Sequence, residues 1–237
     1  MKSLHPYYLK TMGIEMWVRR NLPTETLPQI NMLETNTMND QTVIETKSPA
    51  ILPNNLNWET LQNQVINCTV CPLHQTRTQT VFGVGNQQTD WLFVGEAPGA
   101  DEDAQGEPFV GRAGKLLNSM LQAINLPRET IYIANVLKCR PPDNRNPTPE
   151  EMACCTHFLQ QQIALLNPKI IIALGTIAAQ HLLATDTPIG KLRGQKWIYN
   201  NIPLIAMYHP AYLLRRPSEK SKAWQDLQLA CQIFAEQ

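Results

Sequence analysis

The sequence predicts an α/β fold in which helices cover both faces of a largely parallel sheet. Apolar runs of strand length recur along the chain, at residues 91–94, 131–136, 170–174 and 204–206. Helical periodicities separate and follow these runs, at residues 113–124, 149–166, 176–183 and 218–234. Strands that alternate with helices favour buried parallel strands with a helical layer on each side.

Boundary signals support the individual elements in order. A helical stretch over residues 58–67 leads into Cys68 and opens the part of the chain with the pattern of a compact domain. The strand over residues 91–94 stops at Gly95 in a turn rich in glycine, proline and acidic residues. Pro149 is followed by two glutamates, which indicates a helix start, because its fixed φ suits the first turn and the acids complement the helix dipole.

Three segments are predicted along the chain. Residues 1–22 form a short segment of their own, and residues 23–57 form a flexible linker. Much of this linker is rich in Asn, Thr, Pro, Glu and Gln, a composition that buries too little surface to offset the entropy of ordering. Residues 58–237 form the compact domain.

Composition says more about the cellular location of the protein than about its binding partners. The chain has 20 Lys+Arg and 20 Asp+Glu, so net charge gives no argument for a polyanionic partner. No apolar run is long enough to cross a bilayer, and the N-terminus lacks the pattern of a secretory signal. We therefore expect a cytoplasmic protein without a membrane partner, and since disulfides are rare in the cytosol, the six cysteines need another explanation.

Four of these cysteines suggest one thiol-rich site. Cys68 and Cys71 form a C-x-x-C turn, Cys139 follows the second predicted strand, and Cys155 lies on the next helix. Four thiolates suit either tetrahedral zinc or an iron–sulfur cluster, and the thiols alone leave both open. Cys154 is adjacent to Cys155, and only one of the two can face a common centre.

Several side chains could hold a planar base at the carboxyl ends of the strands, where open α/β sheets bind ligands. Asn135 stands at the end of the second strand, and its amide offers a donor and an acceptor side by side. Phe109 is a large ring in a glycine-rich turn, and His209 follows the last strand-like run. Each also has a simpler structural interpretation, as a turn residue, a core cap and a buried histidine.

A loop is predicted between Pro210 and Pro217. It contains Leu213 and Leu214 beside two arginines. Apolar wedges flanked by cations are what a protein needs to enter a base stack while it holds phosphates.

Taken together, these residues resemble the family 4 uracil-DNA glycosylases, the iron–sulfur branch of the uracil-DNA glycosylase superfamily. The resemblance covers residue 58 to the end of the chain. Its matching blocks are CTVC at 68–71, GEAPGADED from Gly95, GEPFVGRAG from Gly106, NVLKCRPPDNRNP from Asn135, LRG at 192–194 and HPAYLLRRP from His209. It implies a three-layer α/β/α fold and a [4Fe-4S] cluster, whose ligands would be Cys68, Cys71, Cys139 and Cys155.

The resemblance also implies a role for each site residue. Uracil would lie against the backbone of Gly95, Glu96 and Ala97. Phe109 would stack on the base, Asn135 would read its Watson–Crick edge and His209 would contact O2. Leu213 matches the position of the family's intercalating wedge.

The implied activity is DNA repair. The enzyme would flip uracil out of single- or double-stranded DNA and hydrolyse its N-glycosidic bond, which leaves an abasic site. Glu96, Asn135 and His209 are the expected catalytic residues, and a monomer is expected. The best-known branch of the superfamily has a water-guiding Asp where this chain has Ala97, so Glu96, Glu102 and Asp103 are the candidates for that task. The alternatives are a non-catalytic iron–sulfur DNA-binding or replication-associated module, and a glycosylase for another deaminated base such as hypoxanthine.

The N-terminal segment carries a separate resemblance. Residues 9–20, LKTMGIEMWVRR, are similar to the start of the psi subunit of the bacterial DNA polymerase III clamp loader. That resemblance implies docking onto the chi subunit through an apolar anchor of Met12, Ile14 and Trp17. A helix folded back on the domain and a tail without a partner are the alternatives.

Overall fold

The structure, a computed structural model, describes residues 56–237. The predicted docking segment over residues 1–22, and the predicted linker except for its last two residues, lie outside the described residues. Within residues 56–237, no helix combines the length and the apolar character needed to cross a bilayer.

A six-stranded sheet forms the middle layer of this domain. Its strands in chain order are β1 (Val84–Gly85), β2 (Trp91–Gly95), β3 (Tyr132–Asn135), β4 (Ile170–Leu174), β5 (Lys196–Tyr199) and β6 (Ile202–Met207). The spatial order is β1-β3-β2-β4-β6-β5. The four inner strands pair in parallel, whereas β1 and β5 pair antiparallel at the two edges. The predicted, mostly parallel sheet is confirmed.

Helices cover both faces of the sheet. They are α1 (Trp58–Ile66), α2 (Ala100–Gln105), α3 (Arg112–Ala123), α4 (Pro149–Leu166), α5 (Thr176–Leu183), α6 (Ile189–Leu192), α7 (Pro210–Arg215) and α8 (Lys220–Ala235). Side chains that alternate along β2 enter two separate cores: Leu92 packs with residues of α1, α4 and α5, and Phe93 packs with residues of α3 and α8. The three-layer α/β/α architecture is therefore confirmed.

Helix α4 begins where the sequence predicts. Pro149 occupies the first turn, the hydroxyl of Thr148 accepts a hydrogen bond from the backbone N–H of Glu151, and the Glu151 carboxylate accepts one from the N–H of Thr148. This reciprocal cap satisfies two of the N–H groups that a helix start leaves free. The helix carries Cys155 to the side of the sheet where Cys139 follows β3.

The prediction of a loop between Pro210 and Pro217 is wrong. Residues Pro210–Arg215 form α7, with proline in its first turn and His209 as its N-cap. Leu213 is 0 % exposed and packs in the core under the sheet, because α7 lies against α3. The edge strands β1 and β5 were also not predicted, since one has two residues and the other has a largely exposed pattern.

Candidate active site

The four parallel strands end at one cavity of about 900 Å³. Each inner strand supplies a lining residue at or just beyond its carboxyl end. These residues are Asn135 at β3, Glu96 after β2, Gly175 after β4 and His209 after β6. The cavity therefore occupies the place at which open α/β sheets bind ligands. Ala97 and Phe109 line it as well, so five of the predicted site residues meet in one place.

Gly95 permits a close approach of the Asn135 amide and the Phe109 ring to the end of β2. It stands opposite Asn135 in the β2–β3 register. A Cβ atom at Gly95 would lie 2.3 Å from Asn135 Oδ1 and 2.8 Å from Cε2 of Phe109. Any side chain at this position would displace the amide and the ring, so glycine here is a condition for their arrangement.

Asn135 carries a buried amide whose oxygen lacks a partner. The residue is 3 % exposed, and among residues 56–237 no group donates a hydrogen bond to Oδ1. A buried acceptor left without a partner costs about 1–3 kcal/mol, and such an atom calls for an explanation. Its position on the wall of the cavity indicates that a ligand donates to it.

Phe109 is held in a strained conformation beside this amide. Its φ of 56° lies in the left-handed region, which large side chains seldom adopt. The guanidinium of Arg128 donates to the carbonyl oxygens of Pro108 and Phe109 and holds the turn in place. A Cβ at Gly114 would lie 1.7 Å from the Phe109 carbonyl oxygen, so this glycine also permits the turn.

The ring of Phe109 faces the imidazole of His209. The two ring centroids are 5.4 Å apart and the planes are inclined by 31°. His209 Nδ1 accepts a hydrogen bond of 3.1 Å from the backbone N–H of Ala211, which leaves the ring proton on Nε2. Burial and, to a smaller extent, the charge of Arg215 lower the pKa of His209 to about 4. At neutral pH the site thus contains an uncharged imidazole with an N–H available for donation.

The three candidate carboxylates differ in what they contact. Glu102 accepts from the backbone N–H groups of Gly99 and Val110, at 3.1 Å each, and from that of Gly111 at 3.3 Å. Asp103 is buried and accepts from the N–H of Thr78. Both side chains therefore hold backbone segments together.

Glu96 is the carboxylate that stays free. Within the described part of the chain it has neither a hydrogen-bond nor an ion-pair partner, and it lines the cavity. Burial raises its pKa. A carboxylate in this position is able to orient a water molecule. The sequence alone had left Glu96, Glu102 and Asp103 as candidates for this task.

Leu213 does not line the cavity. It belongs to the core cluster that also contains Leu174 and Met207. The neighbouring Leu214 is half-buried and lies at the margin of that cluster. The expectation that Leu213 is an exposed wedge is not supported, because α7 turns this side chain inward.

The four predicted thiol ligands lie on one side of the sheet. Burial raises the pKa of Cys139, and the charges of Cys71 and Cys68 raise it further, so these sulfurs lie within electrostatic reach of each other. Burial likewise raises the pKa of Cys155 to about 11, with Cys139 and Cys71 adding to the effect. Over residues 56–237, no group of three or more Cys, His, Asp and Glu side chains is arranged to hold a metal ion.

The chemistry of this donor set fits a thiolate-ligated centre. All four side chains are sulfur donors, and none is in a disulfide. Arg77 Nη1 donates to Cys139 Sγ at 3.0 Å, and its Nη2 donates to the carbonyl of Ile66 at the end of α1. A cation beside the sulfurs favours their ionised form, which metal binding requires.

Lys138 is a site residue that the sequence did not reveal. Lysine is seldom fully buried, yet Lys138 is 1 % exposed. Its Nζ donates to the carbonyl of Asn135 at 2.7 Å and to Gln162 Oε1 at 2.6 Å. Burial lowers its pKa to about 7, and Cys155 and Cys139 act in the opposite direction. The apolar residues before it in VLKC were the only signal that it lies inside.

The fold and the cavity define an α/β protein with a candidate ligand site at the carboxyl ends of its parallel strands. Residues 82–228 match the family model described as Uracil DNA glycosylase superfamily. The chain belongs to this superfamily.

Three curated relatives of this chain are Type-4 uracil-DNA glycosylases. The chain is 46% identical over 172 residues to the Type-4 uracil-DNA glycosylase of Archaeoglobus fulgidus, an alignment that covers 69% of this chain and 86% of that protein. It is 48% identical over 165 residues to the Type-4 enzyme of Thermotoga maritima, covering 68% and 85%. The Type-4 enzyme of Pyrobaculum aerophilum is 39% identical over 180 residues, covering 73% and 92%.

Proposed function

We propose that this protein is a uracil-DNA glycosylase that flips uracil out of DNA and hydrolyses its N-glycosidic bond, leaving an abasic site. The observation that carries the proposal is the buried amide of Asn135, whose oxygen has no partner within the described domain and which lines the cavity together with Phe109. The Type-4 relatives support the same activity.

Recognition of the base follows from this geometry. Uracil stacks on Phe109 with its edge toward Asn135, against the backbone of Gly95, Glu96 and Ala97. The amide oxygen accepts from the uracil ring N–H, and the amide N–H donates to the adjacent carbonyl. Cytosine presents the opposite pattern at this edge and leaves buried polar groups unpaired, which is a strong basis for rejection.

Bond cleavage places charge where His209 is able to donate. Extrusion of the base from a duplex costs a few kcal/mol and costs least at a mismatch. As the bond from the sugar to the base ring nitrogen breaks, negative charge develops on uracil O2, and the Nε2–H of His209 stabilises it, as donors of an oxyanion hole do. Glu96 orients the water whose oxygen bonds to the sugar carbon, and the released uracil anion takes up a proton in exchange for the one that this water loses.

We further propose that Cys68, Cys71, Cys139 and Cys155 hold a [4Fe-4S] cluster. When bound, the cluster ties the end of α1 to α4 and to the segment after β3, and thereby supports the backbone that follows Asn135. Zinc is the other group that four thiolates suit. Iron and sulfide analysis of the purified protein tests the assignment. We expect iron, sulfide and a broad visible absorption that is lost in Cys139→Ser. Stoichiometric zinc without iron would contradict the cluster.

A uracil-containing oligonucleotide tests the activity. The protein is incubated with the oligonucleotide, and alkali then breaks the strand at any abasic site. We expect breakage with the native protein and a loss of at least about 100-fold in Asn135→Ala. A matched strand that contains hypoxanthine in place of uracil tests the alternative that the protein is a glycosylase for hypoxanthine. Binding without breakage of either strand would instead favour the non-catalytic module.

Two further expectations concern partners. DNA, single- or double-stranded, is the proposed partner of a monomeric enzyme, and a cytoplasmic location stays a prediction. Docking of residues 9–20 to the chi subunit also stays a prediction, since these residues lie outside the described range. A pull-down of chi by the isolated N-terminal peptide, with Trp17→Ala as its control, tests it; failure of both peptides to bind would end the idea.

A further inference from the structure

The cavity extends well beyond the region around Phe109 and Asn135. Cavities of about 300–1,000 Å³ hold ligands of drug size, and this one measures about 900 Å³. Gly190, Tyr208 and Tyr212 line the same cavity. One flipped pyrimidine fills only part of a cavity of this size, so room is left for another part of the substrate.

Tyr208 and Tyr212 form an aromatic pair on the wall of this cavity. Their ring centroids are 4.9 Å apart and their planes are inclined by 36°. Both side chains are half-buried, and His209 lies between them in the sequence. An aromatic pair open to a cavity is suited to stacking on a planar group.

One ring of the pair contacts an arginine that is itself fixed by an ion pair. The guanidinium carbon of Arg193 lies 5.8 Å from the centroid of the Tyr208 ring. Asp226, which is 0 % exposed, fixes this arginine through two hydrogen bonds of 2.9 Å. Because this contact restrains the Tyr208 ring before a ligand arrives, stacking on that ring costs less conformational entropy.

A free cation stands beside the pair. Arg215 is exposed, lines the same cavity and, in residues 56–237, has no carboxylate within ion-pair distance. Arg145, on another part of the cavity lining, is by contrast paired with Glu151. Aromatic rings next to an unpaired cation are the combination by which proteins hold the bases and the backbone of single-stranded nucleic acid.

We propose that Tyr208 and Tyr212 form a stacking platform for the unpaired nucleobase that immediately flanks the flipped uracil, with Arg215 on an adjacent phosphate. This subsite rests on the proposed function and deepens it, because it makes an unpaired neighbour a determinant of substrate choice. A duplex keeps that neighbour stacked in the helix, so the platform favours single-stranded substrates.

Binding of a uracil-free single-stranded oligonucleotide to the full chain tests the platform without any excision step. We expect Tyr212→Ala to weaken binding by roughly 5- to 100-fold, as loss of one base–aromatic stack does. Tyr212→Phe keeps the ring and is expected to bind within about twofold of the native protein. Equal dissociation constants for the native protein and the alanine variant would overturn the proposal.

A substrate series separates stacking from a structural effect. Uracil-containing single strands are prepared in which the base on the 5′ side, the 3′ side or both is replaced by an abasic analogue. The loss in kcat/KM caused by Tyr212→Ala is expected to vanish when the stacked neighbour is missing. A loss that persists with both flanking bases removed would refute the platform, whereas absence of uracil release by the native protein would refute the proposed function instead.

Discussion

The two glutamates at the cavity are expected to respond in opposite ways to the same substitution. Glu102 accepts three backbone N–H bonds, from Gly99, Val110 and Gly111. Hydrogen bonds to a charged group contribute about 1.5–3 kcal/mol each. The carboxylate is half-buried, so water partly replaces the lost bonds, and we expect Glu102→Ala to lower the free energy of unfolding by about 3 kcal/mol.

The same change is expected to reduce activity through Phe109. Val110 and Gly111 follow that residue directly, and their N–H groups are held by Glu102. A displacement of about 1 Å in a positioning group costs on the order of 100-fold in rate. Glu102→Gln retains one oxygen, which still accepts from Val110 and Gly111. We therefore expect it to keep activity within about tenfold of the native protein.

Glu96→Gln is the matched comparison. The amide is the same size as the carboxylate and Glu96 holds no backbone group in the described domain, so stability should change little. If Glu96 orients the attacking water, kcat should fall by about 10²- to 10⁴-fold. Single-turnover release of uracil and urea unfolding on all three variants are the assays. Full activity in Glu96→Gln, or equal losses in the two Glu102 variants, would refute the reasoning.

Four other predictions concern a pKa, an ion pair, a core position and a residue at the margin of that core. His209 has a folded-state pKa of about 4, so its ring should show no titration by NMR between pH 5 and 8. The unfolded chain binds this proton more readily than the folded protein does. The stability that the neutral imidazole contributes is therefore present above about pH 6.5 and is lost as the pH falls toward 4. Asp226→Ala leaves a buried guanidinium unpaired and should lower the free energy of unfolding by about 3–5 kcal/mol, measured in urea. Leu213→Ala should cost about 2–5 kcal/mol by leaving a core cavity. Leu214→Ala should spare stability and lower activity on duplex DNA more than on single strands; equal losses on the two substrates would count against a wedge role for Leu214.

Sequence periodicity was sufficient for the architecture but not for the edges of the sheet. Strands such as β4, with every residue buried, are continuous apolar runs and are recognised as such. β5 is half exposed, so its residues carry no alternation that distinguishes a strand from a turn. The two prolines around residues 210–217 indicated a loop, although proline in a first turn is as compatible with a helix start, which is what α7 uses.

The sequence predicted where three candidate residues lie, but not their electrostatics. Glu96, Asn135 and His209 follow strands that end at one edge, so the fold class alone brings them together. The tautomer of His209 depends on a hydrogen bond from the backbone N–H of Ala211, which no pattern in the sequence predicts. The contrast between Glu96 and Glu102 depends on which backbone N–H groups happen to lie within reach.

The order of apolar runs and turns by itself determined the layers, the parallel sheet and the edge at which the site lies, because these depend on local periodicity and on the direction of the strands. Only the tertiary structure decided that Leu213 faces the core, that Lys138 is buried against Asn135, and that two tyrosines line one cavity with Phe109. Those properties arise from contacts between segments far apart in the chain, and burial and hydrogen bonding are set by such contacts rather than by any residue's neighbours in sequence.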